Sequence, residues 1–88
     1  MIKRAEPVEI PIDGVLDLHT FQPREVRELV TDYLALCREK GIFEVRIIHG
    51  KGTGQLRRTV HSILSKNPTV QSFGSAGDWG ATTVQLKR

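Results

Sequence analysis

Cysteine, tryptophan, tyrosine and methionine each occur once in this 88-residue chain. A lone thiol, Cys37, closes no internal disulfide and lacks the second sulfur of a zinc knuckle, which excludes a disulfide scaffold and Cys-based metal chemistry. It reads as a buried helix residue. Nowhere do about 18 apolar residues run uninterrupted, so no helical membrane span is expected. The amino-terminal MIKRAEPVEIP lacks the apolar stretch of a secretory signal, which points to the cytoplasm. Low-complexity tracts are missing too, and two β-α units are the only internal repetition.

Acidic side chains are scarce in one half only. Residues 1–44 hold six bases and nine acids, whereas from Val45 onward seven bases (Arg46, Lys51, Arg57, Arg58, Lys66, Lys87, Arg88) stand against Asp78 alone. This asymmetry fits an anionic partner, although a solvated basic surface would give the same count. Apolar residues at 39% and charged residues at 26% describe an ordinary soluble fold of one domain. That domain is expected over residues 12–88, with residues 1–11, which carry Pro7 and Pro11, as an extended amino-terminal arm.

Within the domain, Gly14 to His19 alternates Leu16 and Leu18 against Asp17 and His19, the period of a strand with one face in a core. A helix follows from Gln22, with Pro23 at its first position and Glu25 reaching back in a capping box. Val26, Leu29, Val30, Tyr33, Leu34 and Cys37 recur at helical spacing, and Gly41 stops them. A second strand, Phe43 to Ile48, runs into HGKGTG. A second helix then turns Leu56, Val60, Ile63 and Leu64 inward until Asn67-Pro68. Two more strands, Val70 to Phe73 and Ala81 to Leu86, flank a glycine-rich turn.

The order is therefore β-α-β-α-β-β, and its first two strands should form a parallel pair through a right-handed crossover. Both then finish at one sheet edge, where open α/β sheets place their ligands. His19 and His49, each expected as the last residue of its strand, should come close there, with Asp17 one strand repeat behind. Gly50, Gly52 and Gly54 let the second strand-to-helix turn adopt positive φ and bring backbone amides to an anion. Arg57 and Arg58, early in the helix, carry charge that its macrodipole disfavours unless an anion is present. A tight packing turn is the bland alternative.

Other motifs fit less well. The third glycine is misplaced for a dinucleotide fingerprint, no Gly-Lys-Ser/Thr phosphate loop is in register, and His19, His49 and His61 lack the spacing of a zinc pair. His61, beside Val60, suits a surface or packing role.

Three segments, LDLH at Leu16 to His19, HGKGTG at His49 to Gly54 and GDWGATTVQL at Gly77 to Leu86, resemble in order and spacing the signatures of the Smr (small MutS-related) domain. The resemblance runs from about Ile12 to Leu86. It implies an α/β fold of the α+β two-layer kind, with a four-stranded mixed sheet like the C-terminal domain of translation initiation factor three. It also implies an endonuclease that nicks DNA or cleaves structured RNA, in a family linked to DNA repair or recombination, with this chain a free-standing member. By residue match, Asp17 and His19 belong to the LDxH element and His49, Gly50, Gly52 and Gly54 to the glycine loop. Two positions depart from the pattern: Thr20 stands where glycine is common, and Asp78 interrupts a frequent Gly-Gly.

Under this reading Asp17, His19 and His49 are the candidate catalytic residues. One imidazole would act as general base and the other would protonate the leaving oxygen, while Asp17 orients His19 or holds a divalent cation, magnesium or manganese. Gly50, Lys51, Gly52, Thr53, Gly54, Arg57 and Arg58 would hold phosphates, and Trp79 would stack on a base or cover the sheet edge. A non-catalytic DNA- or RNA-binding module, ribosome-associated or otherwise, fits the same charges and glycines.

Overall fold

The computed structural model describes residues 12–19, 21–50, 54–76 and 80–88. The expected arm over 1–11 and the candidate positions Thr20, Lys51, Gly52, Thr53, Asp78 and Trp79 lie outside the described residues.

Six elements follow in chain order: β1 (Val15–Asp17), α1 (Pro23–Glu39), β2 (Glu44–Ile48), α2 (Gln55–Ser65), β3 (Val70–Ser75) and β4 (Ala81–Leu86). The start of α1 has the expected chemistry, with Pro23 in its first turn and the Gln22 amide donating to Glu25 Oε1 at 2.9 Å. Its end is a Schellman turn. Gly41 takes φ 78°, and the amides of Gly41 and Ile42 donate to the carbonyls of Arg38 and Cys37 at 3.1 and 2.8 Å.

The sheet order is β1-β2-β4-β3, with β1 parallel to β2 and both β4 pairings antiparallel. Two boundaries differ from the sequence expectation. The Leu18 amide still donates to Ile48 at 2.9 Å, but the Phe21 amide closes a turn onto Leu18 at 3.0 Å. That turn ends β1 at Asp17 and leaves His19 beyond the strand. Conversely, β3 continues through Gly74 and Ser75, which pair with Thr83 and Thr82 although glycine there reads as a turn.

Both helices cover one face of the sheet. Leu16, Leu18, Val45, Ile47, Val84 and Leu86 from the strands meet Val26, Val30, Leu34, Val60 and Leu64 from the helices in a single core. The other face carries Val15, Asp17, Glu44, Arg46 and Gln85, all exposed. Among the described residues, no helix is long and apolar enough to cross a membrane.

Tyr33 ties α1 to the entrance of β1. Its ring is fully buried, and its hydroxyl accepts the Gly14 amide at 3.1 Å and donates to the Val15 carbonyl at 3.1 Å. Burial, above all, pushes the phenol up to about 12, so it keeps the proton it donates. Removing the oxygen strands a buried amide and a carbonyl. Tyr33→Phe is therefore expected to cost about 1–3 kcal/mol in urea unfolding, and an unchanged midpoint would show that the hydroxyl anchors nothing.

Candidate active site at the carboxyl edge of the parallel strands

The end of β1 presents a carboxylate–imidazole pair. Asp17 Oδ1 accepts the His19 amide at 3.0 Å and His19 Nδ1 at 2.7 Å. Their side chains are 46% and 72% exposed, respectively. Hydrogen bonds from His19, the ring's first and then the amide's, hold the Asp17 carboxyl below its usual range. An acceptor on Nδ1 places a proton there, and among the described residues no hydrogen bond engages Nε2. A contact this exposed adds little stability. Its consequence is orientation.

The end of β2 is built differently. In register, Leu16 stands beside Ile47 and Asp17 beside Ile48, so Leu18 stands beside His49 on the helix-covered face. His49 is only 6% exposed. Its Nδ1 lies 3.0 Å from the Gly50 carbonyl and its Nε2 lies 2.9 Å from Thr82 Oγ1, which in turn lies 2.9 Å from His61 Nε2. Thr82 is fully buried, and His61 packs edge-on against Phe73 at 5.0 Å between ring centroids.

Partner chemistry assigns the protons. A carbonyl only accepts, so His49 Nδ1 carries hydrogen; an imidazole with its one hydrogen there accepts the Thr82 hydroxyl proton at Nε2. Thr82, having donated, accepts from His61 Nε2–H. The result is a directed chain, His61 to Thr82 to His49 to the Gly50 carbonyl. Gly50 itself takes φ 78°, and the amides of His49 and Gly50 both donate to the Gly80 carbonyl, at 3.0 and 2.9 Å. That clamp fastens the glycine corner to the start of β4.

The expected neighbours are thus close in backbone and separate in side chain. Among the described residues no hydrogen bond, ion pair or ring contact joins His19 to His49. The alternation of each strand is the reason, since Asp17 and its partner His19 lie outside the core whereas His49 continues the inward series of Val45 and Ile47. Of the other candidates, Gly54 caps α2 at φ 83°. Arg57 donates to Ser75 Oγ at 2.8 Å, fastening α2 to β3. Arg58 is exposed and faces α1 across a cleft. The sequence pattern did not point to Thr82 as a site residue and gave His61 only a surface or packing role. The available signal was a threonine at an inward position of β4.

A family model for the Smr domain matches residues 16–87, which includes every described residue of this edge. The chain belongs to the Smr domain family. Its fold matches the crystal structure of the Smr domain of Thermus thermophilus MutS2 at a TM-score of 0.80 with 32% identity, covering 85% of this chain and 99% of that one. YdaL, a stand-alone small MutS-related protein from Escherichia coli, matches at 0.79 with 28% identity, covering 89% of this chain and 67% of that one. Endonuclease MutS2 of Halothermothrix orenii is 36% identical over 80 residues, 86% of this chain and 10% of that protein. The Smr chain described here thus spans about a tenth of the length of the curated relatives it matches.

Two measurements check the buried chain. Thr82→Val leaves both imidazole Nε2 atoms without their partner and is expected to cost about 1–3 kcal/mol, with Thr82→Ser restoring most of it. The second concerns pH. Burial first, then the charge of Arg57, lowers the His61 pKa below 6.5. Just below that value the unfolded chain binds more protons, so stability is full above it and declines as pH falls towards the folded-state pKa. His61→Gln should flatten this decline in thermal melts; an equal slope in both proteins would place the titration elsewhere.

Proposed function

We propose that this Smr domain is an endonuclease that hydrolyses phosphodiester bonds in DNA or structured RNA, with His19 as general base. The observation that carries this reading is the 2.7 Å contact between Asp17 Oδ1 and His19 Nδ1, which leaves Nε2 of an exposed ring as its second nitrogen at the sheet edge. Asp17 fixes the tautomer and stabilises the imidazolium that forms, as the aspartate of a catalytic triad does. His19 Nε2 takes the proton of water or of a ribose 2′-OH as its oxygen bonds to phosphorus. The bond to the leaving oxygen breaks, and that oxygen takes a proton from solvent.

His49 has a different part in this mechanism. Both of its ring nitrogens are engaged and its surface is buried, so it positions the glycine corner through the Gly50 carbonyl. The corner and α2 would hold the scissile phosphate, with Lys51, Gly52 and Thr53 as its loop and Trp79 as a stacking surface. The curated relatives' name, endonuclease, supports the reaction class for the part of them that this chain matches.

Metal dependence enters this proposal narrowly. Among the described residues no group of three or more His, Cys, Asp or Glu could hold a metal ion. Magnesium or manganese would rest on Asp17 together with oxygens of the substrate, where it would neutralise phosphate charge. No step above requires it.

A non-catalytic nucleic-acid-binding module is the second reading, favoured by the commitment of His49 to the scaffold. Supercoiled plasmid and hairpin RNA, incubated with magnesium, manganese or chelator, separate the two. His19→Ala is expected to lower the cleavage rate by about 10²- to 10⁴-fold while binding persists. Cleavage by His19→Ala at the wild-type rate would defeat the assignment, and binding without cleavage by the wild type would establish the binder.

A further inference from the structure

We infer that the seam between α1 and α2 is a second nucleic-acid site, a basic groove that takes the phosphodiester backbone of the strand leaving the sheet edge. The inference extends the proposed function, because it says where the rest of the substrate runs, but it depends on backbone binding and not on cleavage.

The groove opens between the first turns of the two helices as a cleft of about 510 Å³. Arg24 and Arg27 of α1 face Arg58 of α2 across it, with Gln55, Thr59 and Ser62 as further polar groups and, among the described residues, no carboxylate in its lining. It leads, past Arg27 and Ile63, into a second cleft of about 370 Å³ that reaches Lys66 at the far end of α2. Four cations therefore follow one seam. At about 1.5 Å per residue the 11 residues of α2 span roughly 16 Å, the axial length of four or five nucleotides of a duplex strand at about 3.4 Å of helix axis each.

Among the described residues the charges of this seam are not balanced by ion pairs. Among the described residues, none of Arg24, Arg27 and Arg58 is held in an ion pair, although Glu28 stands one helical turn from Arg24. Arg24 and Arg58 also sit in the opening turns of helices, where the macrodipole disfavours a cation. An anion in the groove relieves both effects. A row of phosphates fits better than a single ion, since the cations are spread along the seam and not gathered around one point.

Topology connects the groove to the edge. β1 leads into α1 and β2 into α2, so Pro23 and Gln55, the first residues of the helices, mark the mouth of the groove on the side where the parallel strands end. A strand held at that edge reaches the seam by passing between the two helix starts. Among the described residues, the other sheet face, with Arg46 beside Glu44, Asp17 and Gln85, offers no comparable row of cations.

The test is a salt titration of binding by fluorescence anisotropy, with labelled single-stranded and hairpin oligonucleotides confirmed intact after each reading. The double variant Arg24→Gln/Arg27→Gln is compared with Lys40→Gln/Arg46→Gln, which removes equal charge from outside the seam. The groove variant should bind about tenfold or more weakly near 0.1 M salt, and its slope of log affinity against log salt should be shallower by about 1.5. The control should stay near wild type. Equal losses in both doubles, or no change in slope for the groove variant, would overturn the groove whether or not the protein cleaves. Circular dichroism melts of both variants exclude unfolding as the cause of a loss.

Discussion

The parallel ladder between β1 and β2 is the constraint from which the rest of this Smr domain follows. Parallel pairing requires both strands to end at the same edge, and a short loop after each sends its helix back from that edge over the same face. One ladder thereby gathers Asp17, His19, the glycine corner and two helix starts in one place. The ladder is short, with three residue pairs and flanking bonds from the Leu18 amide to Ile48 and from the Arg46 amide to Gly14. It relies on supports outside itself: Tyr33 holds the entrance of β1, and the Gly80 carbonyl holds the exit of β2.

Polar alternation decides what each strand delivers to that edge. An outward aspartate followed two residues later by histidine makes a dyad in water, where the carboxylate orients the ring at small energetic cost. An inward histidine at the end of β2 meets a different environment. Its two ring nitrogens must both find partners because burial makes an unpaired nitrogen expensive. Gly50 and Thr82 supply them, and His61 completes the hydroxyl of Thr82. Two histidines of similar sequence context thus diverge in chemistry through strand phase alone.

Much of this was legible in the residues. Capping by Pro23 and Glu25, the stop at Gly41 and the inward series of α1 are local signals, and the structure follows them. The burial of His49 was legible as well, since it continues the alternation of Val45 and Ile47, whereas backbone proximity alone suggests a shared pocket with His19. The Thr82 link was not accessible in this way. It depends on a register between β2 and β4 that no local pattern specifies, and on which turn of α2 lies above it. The basic seam was hidden for another reason: Arg24 and Arg27 belong to the half of the chain with excess acid, and a count along the sequence averages them with Glu25 and Glu28.

Several features of the edge oppose local stability. Arg24 and Arg58 work against helix dipoles, Gly50 and Gly54 take positive φ, and a chain of polar side chains replaces apolar packing beneath α2. Elsewhere the domain obeys its local rules, with apolar residues filling the core and matched caps on α1. Concentrating locally unfavourable choices at one edge is the pattern expected of a site that binds a polyanion. Under the proposed function, an anion at this edge would offset the dipole penalty of Arg24 and Arg58, whereas the polar chain beneath α2 is already satisfied within the protein.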